Sequence, residues 1–240
     1  MMKASFGIDR DGEVVLFCSL AFLMVSALAM MSFSPSAYRG FVAEDGAAEW
    51  IATLALFSCA VISLGRSVKS NGKSRWFHVL VALVFLFAVG EELSWGQRLF
   101  GVESSPFFED HNWQGETNVH NLYFGSFHVN KVIFGTVMGA FLSFYLVGLP
   151  LLFGRDSVRA FVDMLGIPVP RVRHTVLIVL FSLVVSLISG PDKWELMEPC
   201  GSMMFLSIFM NPLNASCITA QPVEERTRHD ADTHTAGRLR

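Results

Sequence analysis

Charge is what this sequence has least of. Asp, Glu, Lys and Arg make up 16% of its 240 residues, against roughly 25% in a soluble domain. The deficit is gathered into long apolar runs, and mean hydropathy is +0.46. An ordinary soluble globule is excluded, and an integral membrane protein is indicated. A net charge of −3 gives no basis for a nucleic-acid partner. Cysteine is scarce as well. Cys18, Cys59, Cys200 and Cys217 show no CxxC or CxxH spacing, so they read as small packing residues and not as a disulfide framework or metal site.

What remains is mostly hydrocarbon in segments of membrane length. Spans are expected at about 14–34, 48–65, 76–97, 131–153, 173–190 and 192–211, each able to cross a core of about 30 Å at 1.5 Å per residue. The expected fold is an all-α integral membrane protein, a bundle of six transmembrane helices with a long outer loop between helices 3 and 4. Residues 1–13 form an N-terminal segment, and 212–240 a polar tail expected to be disordered. Lys and Arg set the orientation. Fourteen of the 18 lie in the termini, the 2–3 loop and the 4–5 loop, and four on the other side: Arg39, Arg98, Lys131 and Lys193. Both termini are therefore expected in the cytoplasm, in a bacterial inner membrane, with the other face periplasmic.

The acidic residues then sort to the outer side. Glu44, Asp45 and Glu49 precede or open span 2, Glu91 and Glu92 lie near the end of span 3, and Asp192, Glu195 and Glu198 open span 6. Carboxylates at helix N-termini are stabilised by the macrodipole, each by roughly 0.3–1 kcal/mol, and need no function. Glu91 and Glu92 differ, because a helix C-terminal end opposes negative charge. From Trp76, Glu91 has risen only about 22 Å, short of the bilayer core. Acidic groups at that depth usually face a bundle interior or water-filled cavity. Glu198, followed by Pro199, raises the same question. In the loop, Glu116 and His120 are four residues apart; a short helix there would put them on one face.

Several of these residues sit in motifs. "EDGAAEW", "GEELSWGQRLFG" and "ETNVHNL", with an acidic final span, resemble a family of uncharacterised bacterial polytopic membrane proteins. The similarity covers roughly residues 41–211. It implies a shared polar site of Glu44, Asp45, Glu49, Glu91, Glu92, Trp95, Gln97, Arg98, Asn118, His120 and Asn121, and it names no activity. A weaker similarity is to glutamic intramembrane proteases of the CAAX-processing type. Their EExxxR becomes Glu91-Glu92 with Arg98 two residues late, and their FxxxH becomes Phe124 and His128, placed in the loop.

These readings converge on a membrane-embedded, hydrolase-like enzyme acting on a lipid or lipid-linked substrate at the outer leaflet. Glu91, Glu92 and His120 are the expected catalytic groups. Arg98, a bidentate phosphate binder in principle, is the expected substrate ligand with Trp95, Gln97, Asn118 and Asn121. Glu49, Glu92, His120 and Glu198 could hold a divalent metal, Mg²⁺ or Mn²⁺ through carboxylates, Zn²⁺ or Fe²⁺ with the imidazole. Two alternatives stay open: a noncatalytic assembly or sensory subunit with a protein partner, and a proton-coupled transporter.

Overall fold

The computed structural model describes residues 10–43, 45–187 and 193–218. The tail beyond Ile218, the 188–192 turn and Glu44 lie outside the described residues. The described chain is mostly helical. Among the described residues four stretches are long and apolar enough to cross a membrane: Val14–Phe33, the stretch from Pro35 to Lys69 that holds two helices, Gly72–Glu92 and Asn130–Leu152. Two further apolar helices are shorter, Val172–Leu187 and Met197–Met210.

In order, α1 is Arg10–Phe33, α2 Pro35–Val42, α3 Ala47–Lys69 and α4 Gly72–Glu92. A connecting region follows with two short helices, α5 (Gln97–Phe100) and α6 (Pro106–His111), and a hairpin of Tyr123–Phe124 against Phe127–His128. Asn130–Leu152 is one apolar rod. In it α7 (Met138–Ser143) and α8 (Leu149–Leu152) alternate with wider π turns. Then come α9 (Asp156–Leu165), α10 (Val172–Leu187), α11 (Met197–Met210) and α12 (Ala215–Ile218).

The core sits on α11, which is apolar all round and buries Cys200, Met204, Ser207, Ile208 and Phe209. A helix without a polar face belongs inside a bundle. α3 reaches it and α4 through a strip of small residues, Ala48, Ala52, Ala55, Cys59, Ala60 and Ser63, all buried. Small side chains at this spacing let helix backbones approach closely, and close packing is the main attraction between helices in lipid. Leu56, Phe85 and Phe209 fill the α3–α4–α11 junction. A second cluster joins α1 (Leu20, Leu23, Met24) to α10 (Phe181, Val185) and α11. The outer surface stays apolar: Phe22 is 74% exposed, Leu151 78% and Leu187 84%. Patches of that size are stable in hydrocarbon and not in water.

Some boundaries differ from the sequence expectation. The third expected span, α4, ends at Glu92 and not at residue 97, because Ser94, Trp95 and Gly96 all take positive φ (44°, 54° and 81°). The final apolar helix begins at Met197 and not at 192, after a tight 3₁₀ turn, Lys193–Leu196. Pro199 therefore falls in the first helical turn, where a missing N–H costs nothing. Glu198 lies in the same turn, where the helix macrodipole favours negative charge. Cys59 and Cys200 are buried and unpaired, and Cys18 is exposed.

Candidate functional site: a polar cluster at one end of the bundle

α3 and α11 run parallel, since Arg66 near the end of α3 donates to the Phe209 carbonyl near the end of α11. α4 runs back against α3. The first turns of α3 and α11, the last turn of α4 and the connecting region 93–129 therefore meet at one end.

Arg98 is the hub there. Its guanidinium fork meets five acceptor atoms: Asp45 Oδ1 at 3.1 Å, both Glu116 oxygens at 3.0 Å, Glu49 Oε1, and the Glu92 carbonyl at 3.2 Å. Burial opposes its charge, but the Glu116 hydrogen bonds and the Glu49, Glu116 and Asp45 charges outweigh that and raise its pKa above the usual arginine value. A guanidinium has five N–H groups, and here each faces an acceptor inside the protein. Arg98 was expected to hold a substrate phosphate. The structure instead places it as a clasp joining the start of α3, the end of α4 and the loop. Glu49 contributes twice: its Oε2 also accepts the Asp45 amide at 2.7 Å, in the manner of a capping box.

Glu91 is the second anchor. It is 4% exposed. Oε2 accepts the backbone N–H groups of Val119 and His120 at 2.7 and 2.8 Å and faces His120 Nδ1 at 3.3 Å. Oε1 accepts the Trp95 indole N–H at 2.9 Å. Both Glu91 oxygens are thus committed to the loop backbone, the Trp95 indole and the His120 ring.

Ser94, Asn112, Glu116 and Asn118, each at most 8% exposed, form the centre of the loop. Ser94 Oγ donates to Glu116 Oε2. Asn118 donates to Ser94 Oγ at 3.1 Å. Asn112 donates to the Asn118 carbonyl and side-chain oxygens at 2.9 and 2.8 Å. Gln97 bridges outward, donating to Ser104 Oγ at 2.7 Å and accepting the Thr117 amide at 2.6 Å. Asn121 donates to Gln114. The residues expected to bind substrate, Gln97, Asn118 and Asn121, thus spend these groups on other side chains of the connecting region and on its backbone.

Trp95 explains Gly90. A Cβ at Gly90 would stand 2.9 Å from the Trp95 ring, which also meets Phe87 edge-on at 5.6 Å. Gly90→Ala is expected to push the indole off Glu91 and cost about 1–3 kcal/mol; near-ultraviolet circular dichroism and thermal melting in detergent check both effects. An unchanged indole signal would show that the ring is not held there.

Glu116 and His120 do not share a helix face. The 112–122 segment is a series of turns, closed by the Asn112–Leu122 bridge. Glu116 turns to Arg98 while His120 turns to Glu91. Phe124 and His128 lie on the hairpin.

Glu92 and Glu198 remain. Neither carboxylate has a hydrogen-bond partner among the described residues. Glu92 lies within electrostatic range of His120, Glu49, Glu195 and Arg98, and Glu198 within range of Glu92, Glu195 and Glu49. The metal set expected from the sequence, Glu49, Glu92, His120 and Glu198, is not assembled as ligands. Among the described residues no three His, Cys, Asp or Glu are placed to share an ion. The reason is local: Glu49 is held by Arg98 and by the Asp45 amide, and the His120 Nδ1 faces Glu91. Sequence reading missed Ser94, Asn112 and Thr117, although Ser94 and Thr117 lie inside quoted motifs and Asn112 four residues before one.

No family profile matches this chain, and neither a curated protein nor a solved structure matches it.

Proposed function

We propose that the polar cluster is an acid–base site on a lipid or lipid-linked substrate, hydrolase-like in chemistry. One observation carries the reading: Glu91 holds His120 by Nδ1, while the imidazole Nε2 has no partner among the described residues and Glu92 lies in electrostatic range. A carboxylate that fixes one ring nitrogen sets the tautomer and leaves the other to move a proton. In this reading His120 is the proton-transfer group, Glu91 its positioning residue, and Glu92 the second carboxylate. The left-handed run Ser94–Trp95–Gly96 supports it, since strained backbone of this kind concentrates at functional sites. The same proposal includes six spans in a bacterial inner membrane, the two shorter apolar helices counted among them, with both termini cytoplasmic and the cluster on the periplasmic side. Its support is the fourteen-to-four distribution of Lys and Arg.

The test is purified protein in vesicles of bacterial lipid, with products followed by mass spectrometry. Glu92→Gln and His120→Gln are each expected to reduce turnover by about 10²–10⁴-fold. Glu92→Gln is also expected to melt no lower than wild type, because the relief of a buried charge and of its repulsion by Glu49, Glu195 and Glu198 offsets the lost attraction to His120 and Arg98. Turnover that survives in both variants sinks the acid–base assignment.

A second reading, a noncatalytic assembly subunit, is favoured by the exposed aromatic groups of the connecting region: Phe100 at 80%, Trp113 at 76% and Phe107 at 49%. Wild-type protein that yields no lipid product, but whose Trp113→Ala variant loses a co-purifying partner, decides for this reading.

A further inference from the structure

The opposite end of α3 carries a different polar arrangement, about 25 Å from Glu49 at 1.5 Å per residue. Arg66 near the end of α3 is 9% exposed, and His78 in the first half of α4, which packs against α3, is 1% exposed. Arg66 Nη2 donates to the Phe209 carbonyl, and its guanidinium lies over the Phe209 ring at 5.6 Å. Among the described residues Nη1 has no hydrogen-bond partner, and neither does His78 Nδ1 or Nε2. No described carboxylate pairs with Arg66; the groups acting on its charge are Tyr145 and Cys59, both neutral when protonated. His78 is within electrostatic range of Arg66.

Two deficits coincide here. A buried cation without a counter-charge is strongly unfavourable, and the end of α11 supplies only about half a negative charge through its dipole. Each orphaned buried donor or acceptor adds a further desolvation cost. Water repairs the hydrogen bonds but not the charge. Ser63 and Ser67 give their hydroxyls to their own helix and repair neither. A group that brings negative charge, accepts from a guanidinium and pairs with one imidazole nitrogen supplies the charge, a partner for Arg66 Nη1 and a partner for one of the two His78 nitrogens. A phosphate oxyanion has that chemistry.

We propose that Arg66 Nη1 and the His78 imidazole form a binding site for a phosphate group, at the end of the bundle opposite the carboxylate cluster. Arg66 lies one turn before the end of α3 at Lys69, close to the exposed Asn71–Gly72 turn. Lipid head-group phosphate and inorganic phosphate share this chemistry.

The test uses the full chain, delipidated in an uncharged detergent. Bound phosphorus is measured by ³¹P NMR, and inorganic phosphate is titrated by calorimetry. Arg66 also caps α11, so the variant chosen is His78→Phe, which removes both nitrogens and keeps the ring. One equivalent of solvent-extractable phosphorus retained by wild type and lost in His78→Phe supports the site with a lipid head group as source. Saturable binding of inorganic phosphate, weakened about tenfold or more in His78→Phe, supports it with free phosphate. Wild-type protein that neither retains phosphorus nor binds phosphate overturns the proposal, as does phosphate binding that His78→Phe leaves unchanged.

Discussion

Arg98→Met is expected to detach the connecting region from the helical bundle. The substitution keeps much of the stem volume but removes every donor. Glu49, Asp45 and both oxygens of Glu116 then lose a cation in one step. Glu116 is 8% exposed, so its charge cannot simply be rehydrated. Removing one partner of a buried ion pair costs about 3–5 kcal/mol; the side chain of Arg98 is 18% exposed, so the lower figure applies. Melting in detergent should fall accordingly, and proteolysis between residues 101 and 130 should accelerate. Arg98→Lys should rescue little, because a single ammonium cannot reach acceptors spread over α3, α4 and the loop as a planar fork does. A methionine variant that melts like wild type and resists protease equally would mean that the clasp contributes nothing.

Glu91→Gln is the second large effect, and it separates positioning from chemistry. The Glu91 carboxylate accepts two backbone N–H groups, an indole N–H and the His120 ring. An amide offers one acceptor and points two donors at the rest. Hydrogen bonds to a charged acceptor contribute about 1.5–3 kcal/mol each, so a loss of at least about 2 kcal/mol is expected. Amide exchange at Val119 and His120 should accelerate, and turnover should fall with it. Glu92→Gln should show the reverse pattern, with turnover lost and stability kept. Two adjacent glutamates, identical in the sequence, are thus expected to fail in different ways. Equal melting of the two variants would contradict the separate roles.

How this division arises is visible residue by residue. The pair Glu91-Glu92 stands out in the sequence because acid at the end of an apolar helix is unfavourable there. Which of the two is buried against the loop depends on the 100° rotation between neighbours on a helix, and on the backbone that comes to meet it from 28 residues later. The motifs around Ser94–Arg98 and Glu116–Asn121 are legible as polar islands, but their meeting is not. It depends on three successive left-handed residues that turn the chain out of α4, and nothing in the local propensities of Ser and Trp asks for that. Glu116 and His120 suggested a helical face by their spacing alone; Gly115 and the Asn112 hydrogen bonds favoured turns instead. Arg66 looked like an ordinary basic loop residue, because burial is a property of neighbours.

The sequence by itself determined that this chain is an apolar helical protein, roughly where its helices lie, and that its acidic side chains gather near a few helix ends. Hydropathy and periodicity are local, so a linear reading recovers them. The tertiary structure alone decided that Arg98 is occupied by its own protein, that Glu91 holds the loop while Glu92 has no described partner, and that Arg66 and His78 lie buried without a counter-charge. Partner choice is decided by distance in space, and hydrogen bonds or ion pairs between residues tens of positions apart leave no mark on either segment taken alone.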